Sequence, residues 1–459
     1  MTAPLSAADA SSPSRREFLK QTTTAVVAGA VATGASQVAS GAFAGGSDVL
    51  KVGLVGCGGR GSGAAVQALS ADPQTKLVAV ADAFADRLES SLREIKSSEV
   101  ADRVEVDDDH KFVGFDAYKH VIDTCDVVLL ATPPHFRPQH LRACVEAGRH
   151  TFVEKPVAVD APGVRSVLES CELAGKKGLS VVSGLCWRYH AGIREAFNRL
   201  HNGEIGELVA LECSYNSNGV WEPRVSRGQC SNEMEYQMRN WYYYTWLSGD
   251  FNVEQHVHSL DKLQWAMKDQ PPVKASGSGG RSQRIDPQYG NIYDHFSITY
   301  EYPGGVKAFA RCRHFRNCTN DVTDHFYGTN GVCHISGDDA RIVGRSKASL
   351  ASDVTTTGSD GARIASETKW RFRGRAKNMY QAEHDELFAA IRSGQPINNG
   401  LYMTYSSMLA ILGRMVAYTG KELTWDEALA SEEDLSPPAY DWVDIPRPDV
   451  AIPGVTPFV

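Results

Sequence analysis

At 459 residues the chain is too long for one small core, and its 42% hydrophobic content is that of an ordinary globular protein of two or three domains. A formal charge of −8, with no long run of Lys or Arg beyond the first twenty residues, excludes the electrostatic footprint of a nucleic-acid binder. Ten cysteines scattered without CxxC pairs exclude a zinc knuckle or a disulfide scaffold, although Cys312 and Cys318 are open to pairing in an oxidising compartment.

The first element in the chain is an address. Ser14-Arg15-Arg16-Glu17-Phe18-Leu19-Lys20 precedes a weakly apolar, small-residue stretch from about Thr22 to Val38, and Ala42-Phe43-Ala44 then fits a small-x-small cleavage site. Residues 1–44 read as a twin-arginine (Tat) signal peptide, a substrate of the Tat translocon bound for the periplasm or cell envelope. The stretch is too rich in Ala, Thr, Gly and Ser for a membrane anchor.

Residues 48–185 alternate short β-branched runs with helix-like stretches, the rhythm of a doubly wound parallel sheet. The runs are Leu50 to Val55, Lys76 to Ala81, Asp126 to Ala131, His150 to Val153 and Leu179 to Ser183, with amphipathic stretches such as Ala85 to Lys96 and Pro138 to Ala147 between them. Gly56-Cys57-Gly58-Gly59-Arg60-Gly61 satisfies GxGxxG directly after the first run, and Asp82 ends the second. Gly56 permits the tight turn, Gly58 removes a Cβ from the path of a pyrophosphate, and Gly61 lets the helix sit close to the sheet. Asp82 suits ribose hydroxyls and repels an extra phosphate, so NAD is favoured over NADP. A P-loop is excluded, since no GK[ST] follows.

Residues 186–430 read as a second α+β domain with a large, mainly antiparallel, open-faced sheet. It combines polar stretches, glycine-rich turns such as Ser276 to Arg281 and alternating strands in "HFSITYEYPGGVKAFARCRHF". Helices follow in "EHDELFAAIRSG" and "YSSMLAILGRMVAYTG", each stopped by glycine. Residues 431–459 are proline-rich and read as an extended arm over the surface or over a neighbouring subunit.

Within the second domain, "SGDFNVEQHVHSLDKLQWAM" places Val253, Val257 and Leu260 at helical spacing and Glu254, His258 and Asp261 on a neighbouring face at i, i+4 and i+7. A strand would instead align Glu254, His256 and His258 as a metal triad, but the apolar period is helical, so no metal is predicted. Aromatic and basic residues gather at Trp187, Arg188 and Tyr189, and again at Arg239 and Trp241 in "RNWYYYTWLSGD". They are candidates for a sugar pocket, because flat rings with polar tips suit sugar faces.

The glycine turn, "LLATPPHFRPQHLRACVEAGRHTFVEKPVAVD" and the helical stretch together resemble the Gfo/Idh/MocA oxidoreductases from about Val49 to Leu429. The resemblance implies a Rossmann domain and an open-faced β-sheet domain with substrate between them at the nicotinamide. It also implies a homo-oligomer, dimer or tetramer. It makes Lys155 of Glu154-Lys155-Pro156 the residue that contacts substrate and nicotinamide ribose, with a cis bond before Pro156. Thr132, Pro133, Pro134 and His135 would lie beside the cofactor. The family pattern D-x-x-x-H with a later acid is matched by His258 and Asp261, whereas Glu254 departs from its first aspartate.

On this reading His258 is the general base, Lys155 polarises the reacting oxygen, and Asp261 holds one of them. Outside the cytoplasm there is no pool of fresh NAD, and the twin-arginine route carries folded proteins, so a tightly held cofactor is predicted. The expected activity is hydride transfer at a hydroxyl carbon of a sugar, polyol or glycoside. The alternatives are a redox-neutral NAD-dependent glycoside hydrolase working by transient oxidation and elimination, and a non-catalytic sugar-binding scaffold.

Overall fold

The run Leu50–Val55 is apolar at every position but Lys51, and it forms the first strand of a sheet covered on both faces. In the computed structural model, which describes residues 48–344 and 368–459, six strands make this sheet: β1 (Leu50–Val55), β2 (Thr75–Asp82), β3 (Lys111–Val113), β4 (Val127–Leu130), β5 (His150–Val153) and β6 (Val181–Ser183). All are parallel, in the order β3-β2-β1-β4-β5-β6. The order reverses between β1 and β4, and a crevice opens there at the strand ends. The three-residue edge strand β3 is absent from the sequence reading, being too short to show a period. The signal-peptide assignment falls on 1–44, outside the described residues.

The second sheet has nine strands, β7 (Leu208–Ser217), β8 (Lys274–Gly280), β9 (His295–Glu301), β10 (Lys307–His314), β11 (Asp321–Gly328), β12 (Gly331–Ser336), β13 (Asp339–Gly344), β14 (Thr368–Arg371) and β15 (Leu423–Thr424). They run β14-β13-β12-β11-β7-β10-β9-β8-β15, with β7 and β10 parallel and the other pairs antiparallel. Strict alternation along β10 buries Ala308, Ala310 and Cys312 and leaves Phe309 and Arg311 outside, so one face packs on helices and the other is open. The glycine-rich stretch read as a turn is the strand β8. The expected Cβ of Gly277 would stand 2.3 Å from the Ser297 carbonyl and that of Gly279 2.7 Å from the His295 carbonyl, so glycine is what lets this strand lie against β9.

Both C-terminal helices, Met379–Ser393 and Gly400–Thr419, end in left-handed glycines, Gly394 and Gly420. Helix Met379–Ser393, placed by sequence in the second domain, covers the first sheet instead. Leu387, Phe388 and Ile391 join Val52, Leu54, Leu129 and Phe152 in one core. Residues 431–459 carry no helix or strand and touch both sheet domains. Trp442 meets Phe84 and Phe115, while the carbonyls of Val443 and Ala451 accept from Met234 N–H and Tyr293 O–H. All ten cysteines are free, Cys312 and Cys318 included.

Candidate functional site

A cleft of about 490 Å³ runs from the glycine turn to the site helix of the second domain. Gly56 adopts φ +99°, and a Cβ there would come within 2.5 Å of the Thr132 nitrogen. A Cβ on Gly61 would stand 1.9 Å from the Gly56 carbonyl, the close helix–strand approach that only glycine allows. Above Gly58 and Gly59 a Cβ would meet nothing within 4 Å, so open cleft lies over the helix start, where backbone N–H groups favour an anion. This cradle fits the pyrophosphate of a dinucleotide.

Asp82 lines the same cleft, its two oxygens accepting from Cys57 N–H at 2.7 Å and Phe84 N–H at 2.9 Å. Burial pushes its carboxyl up, and these two hydrogen bonds pull the other way. Thr132 and Pro133 line the cleft, and the buried Thr132 hydroxyl has no partner among the described residues. His135 does not line it. Its Nε2 pairs with the Tyr440 hydroxyl at 2.7 Å and its ring abuts Trp246, while burial pushes its pKa down to about 4. Arg137, a buried residue, lines the cleft instead and donates to the carbonyls of Thr132, at 2.6 Å, and Pro156.

At the far end the Lys155–Pro156 bond is cis. Lys155 Nζ donates to the Glu254 carbonyl at 2.6 Å and to its carboxylate at 3.1 Å, in a pair that is largely buried on both sides. Glu254, Gln255 and His258 line the cleft. The His258 Nδ1 is buried without a partner among the described residues. Burial first, then the nearby Lys155 and Lys262, hold the ring well below the ordinary histidine pKa, so it is neutral.

Asp261 lies elsewhere. Its carboxylate accepts from Arg188 Nε at 2.9 and 3.1 Å and from the Ser406 hydroxyl at 2.7 Å, outside the cleft. The continuous helix expected from the spacing is two pieces, Phe251–Glu254 and Val257–Ala266. Asp250 enters with φ 88°, its side chain capping Phe251 N–H and accepting from Tyr293 N–H at 2.8 Å. At the break His256 turns into the core, bonded to Asn252 at 2.9 Å. His258 and Asp261 stand three residues apart on the second piece, and the packing leaves His258 in the cleft with Glu254 while Asp261 meets the buried Arg188, which demands a carboxylate.

The aromatic candidates divide likewise. Trp187, Arg188 and Tyr189 are not cleft residues. The Trp187 ring packs against Lys262, Arg188 is held by Asp261 and Asp269, and the Tyr189 hydroxyl donates to Asn399 at 2.8 Å. Arg239 and Trp241 do line the cleft, but Arg239 sits at the Asp82 end, paired with Asp86 at 3.2 Å and stacked over Phe84 at 4.1 Å. Sequence reasoning missed Phe84, Phe115, Trp221 and Gln255, which also line it. Phe84 stands two residues after Asp82 and was open to inference; Trp221 lies in a loop without periodicity.

Residues 50–183 match the model of an oxidoreductase family described as GFO_IDH_MocA, NAD-binding Rossmann fold, and residues 193–334 match the GFO/IDH/MocA C-terminal domain. The chain is 26% identical over 183 residues to 2,7-anhydro-N-acetylneuraminate hydratase of Escherichia coli, a match covering 40% of this chain and 44% of that one, less than half its length. It is 23% identical over 324 residues to an inositol 2-dehydrogenase of Klebsiella pneumoniae, covering 68% and 81%. Among solved structures, aldose-aldose oxidoreductase from Caulobacter crescentus, complexed with glycerol, shares the fold with a TM-score of 0.60 at 16% identity, covering 82% and 99%.

Proposed function

The chain belongs to the Gfo/Idh/MocA family of NAD(P)-dependent oxidoreductases, and from that premise we propose that it is an exported enzyme acting at a hydroxyl carbon of a sugar, polyol or glycoside. The observation that carries this reading is the neutral, half-buried His258, whose buried Nδ1 has no partner among the described residues, in one cleft with Lys155 and the glycine turn. NAD, when bound, accepts or returns the hydride of that carbon. The glycine turn and Asp82 hold its phosphates and adenosine ribose, with Asp82 favouring NAD over NADP. Lys155, steadied by Glu254, orients and polarises the substrate oxygen. His258 takes the hydroxyl proton as the C–H bond breaks, or returns it in the reverse direction.

The cofactor is retained between turnovers. Supporting this, Arg239 and Trp442 close over Phe84 from the second domain and the C-terminal arm, at the end of the cleft where adenosine would lie. The twin-arginine segment supports export. The open face of the second sheet, with Val209, Phe309 and Val322 outward, supports self-association as a dimer or tetramer. Mature protein from its host, denatured by heat, is expected to release NAD identifiable by absorbance and mass. Protein that releases none, and takes none up when offered, would sink the proposal.

Retention also favours a second reading, redox-neutral cleavage of a glycoside, in which the hydride is returned within one cycle. Nitrophenol release from nitrophenyl glycosides without net NADH would select it, and no release would remove it.

A further inference from the structure

Helix Met379–Ser393 brings Glu383 from the far end of the chain against the start of the glycine-turn helix. The Arg60 guanidinium there serves two carboxylates at once, Nε donating to Glu154 at 2.5 Å and Nη2 to Glu383 at 3.3 Å. Gln67 accepts from Nη1 and Nη2 at 3.0 Å, and the Tyr380 ring lies 4.9 Å beneath the group. The second oxygen of Glu154 is taken up by the Lys155 N–H at 3.1 Å. Glu383 differs: its side chain is wholly buried and its second oxygen has no partner among the described residues.

One guanidinium compensates one carboxylate. With Glu154 and Glu383 both ionised, the cluster would hold an excess negative charge, poorly screened, beside the turn proposed to receive a pyrophosphate. Burial, and then Glu154, push the Glu383 carboxyl well above the ordinary range, against the pull of Arg60. The other groups facing it keep one charge state near neutral pH. His384 is held neutral by burial and Arg60, and burial pushes up the Cys186 thiol and the Tyr189 and Tyr380 phenols. Arg60 stays charged.

Resting on the dinucleotide reading above, we infer that Glu383 is a positioning residue of the cofactor site: it holds Arg60 from behind, and it carries a proton when the pyrophosphate settles on the glycine turn. The incoming negative charge favours the protonated carboxyl, so nucleotide binding takes up a proton. The sign follows: affinity falls as pH rises through the range where Glu383 ionises in the free protein, by at most about ten-fold per pH unit for one proton.

The test is NAD affinity of the full chain, freed of nucleotide, between pH 6 and pH 9, for the natural protein, E383Q and Q67A. The natural protein should weaken toward high pH, E383Q should bind with a flat profile, and Q67A should keep the slope, because Gln67 is a partner of Arg60 that does not titrate. Coincident profiles for the natural protein and E383Q, or a slope lost in Q67A as well, overturn the inference. Should E383Q fail to fold, the heat of NAD binding to the natural protein in buffers of different ionisation enthalpy counts protons directly, and zero uptake overturns it too. A natural protein that binds no NAD at any pH instead brings down the functional reading beneath it.

Discussion

The two ends of the cleft are built on opposite principles. At the Asp82 end, groups from three parts of the chain satisfy one another: Arg239 pairs with Asp86 and Glu235 and stacks on Phe84, Trp442 packs on Phe84 and Phe115, and Tyr440 bonds His135. At the other end, the His258 Nδ1 is buried with no partner among the described residues, a condition that costs about 1–3 kcal/mol. The contrast teaches that holding and reacting are separated along one groove. The Asp82 end is closed by pairs drawn from several parts of the fold, and the other end keeps the His258 nitrogen in reserve for a ligand.

The largest expected effect comes from breaking the open end. H258A should lower turnover about 10²- to 10⁴-fold, the usual contribution of a positioned acid–base group, while extracted nucleotide stays at the natural level. A scaffold that merely binds sugar would instead keep its ligand affinity and show no turnover to lose, which steady-state kinetics and a sugar-binding titration distinguish. Next, D261A should destabilise the fold by about 3 kcal/mol, because it strips a buried guanidinium of one of two carboxylates. The Tm should drop while turnover per folded molecule holds, and a selective loss of turnover would restore Asp261 to the chemistry.

Opening the closed end should do less. R239A and W442A each remove about 1 kcal/mol of cation–π, ion-pair or aromatic contact, so stopped-flow release of nucleotide should quicken roughly five-fold in each. Unchanged release in both would mean that the arm and Arg239 do not govern retention.

The smallest effect is one of pH. Because His258 is held below the ordinary histidine range, its neutral form should persist below pH 6.5, and oxidation rates should change less than about two-fold between pH 8 and pH 6. The same direction sets an acid limit on stability. His140, His256 and His314, pushed down to about 3 by burial, are neutral when folded, but they take up protons below about 6.5 when unfolded. Stability is therefore full above that pH and is lost as pH falls, by up to about 1.4 kcal/mol per unit for each, which thermal denaturation from pH 7 to pH 4 checks.

Local patterns in the chain already specify a good deal. Period and turn chemistry suffice for five of the six strands of the first sheet, the glycine turn, the hairpin β9–β10 and the glycine-stopped helices, since each depends on neighbours a few residues away. The family resemblance of Glu154-Lys155-Pro156 and the helical spacing of His258 mark two residues that the fold brings into one cleft.

What the tertiary structure alone decided is which charges are left for a ligand. Asp261 looks like a site residue until the packed fold sets it against Arg188, and Glu383, far along the chain, reaches the glycine turn only because its helix lies on the first sheet. The physical reason is that a buried charge is disposed of by whichever opposite group the packed chain places within a few ångströms, and that distance depends on long-range packing that residue spacing does not encode.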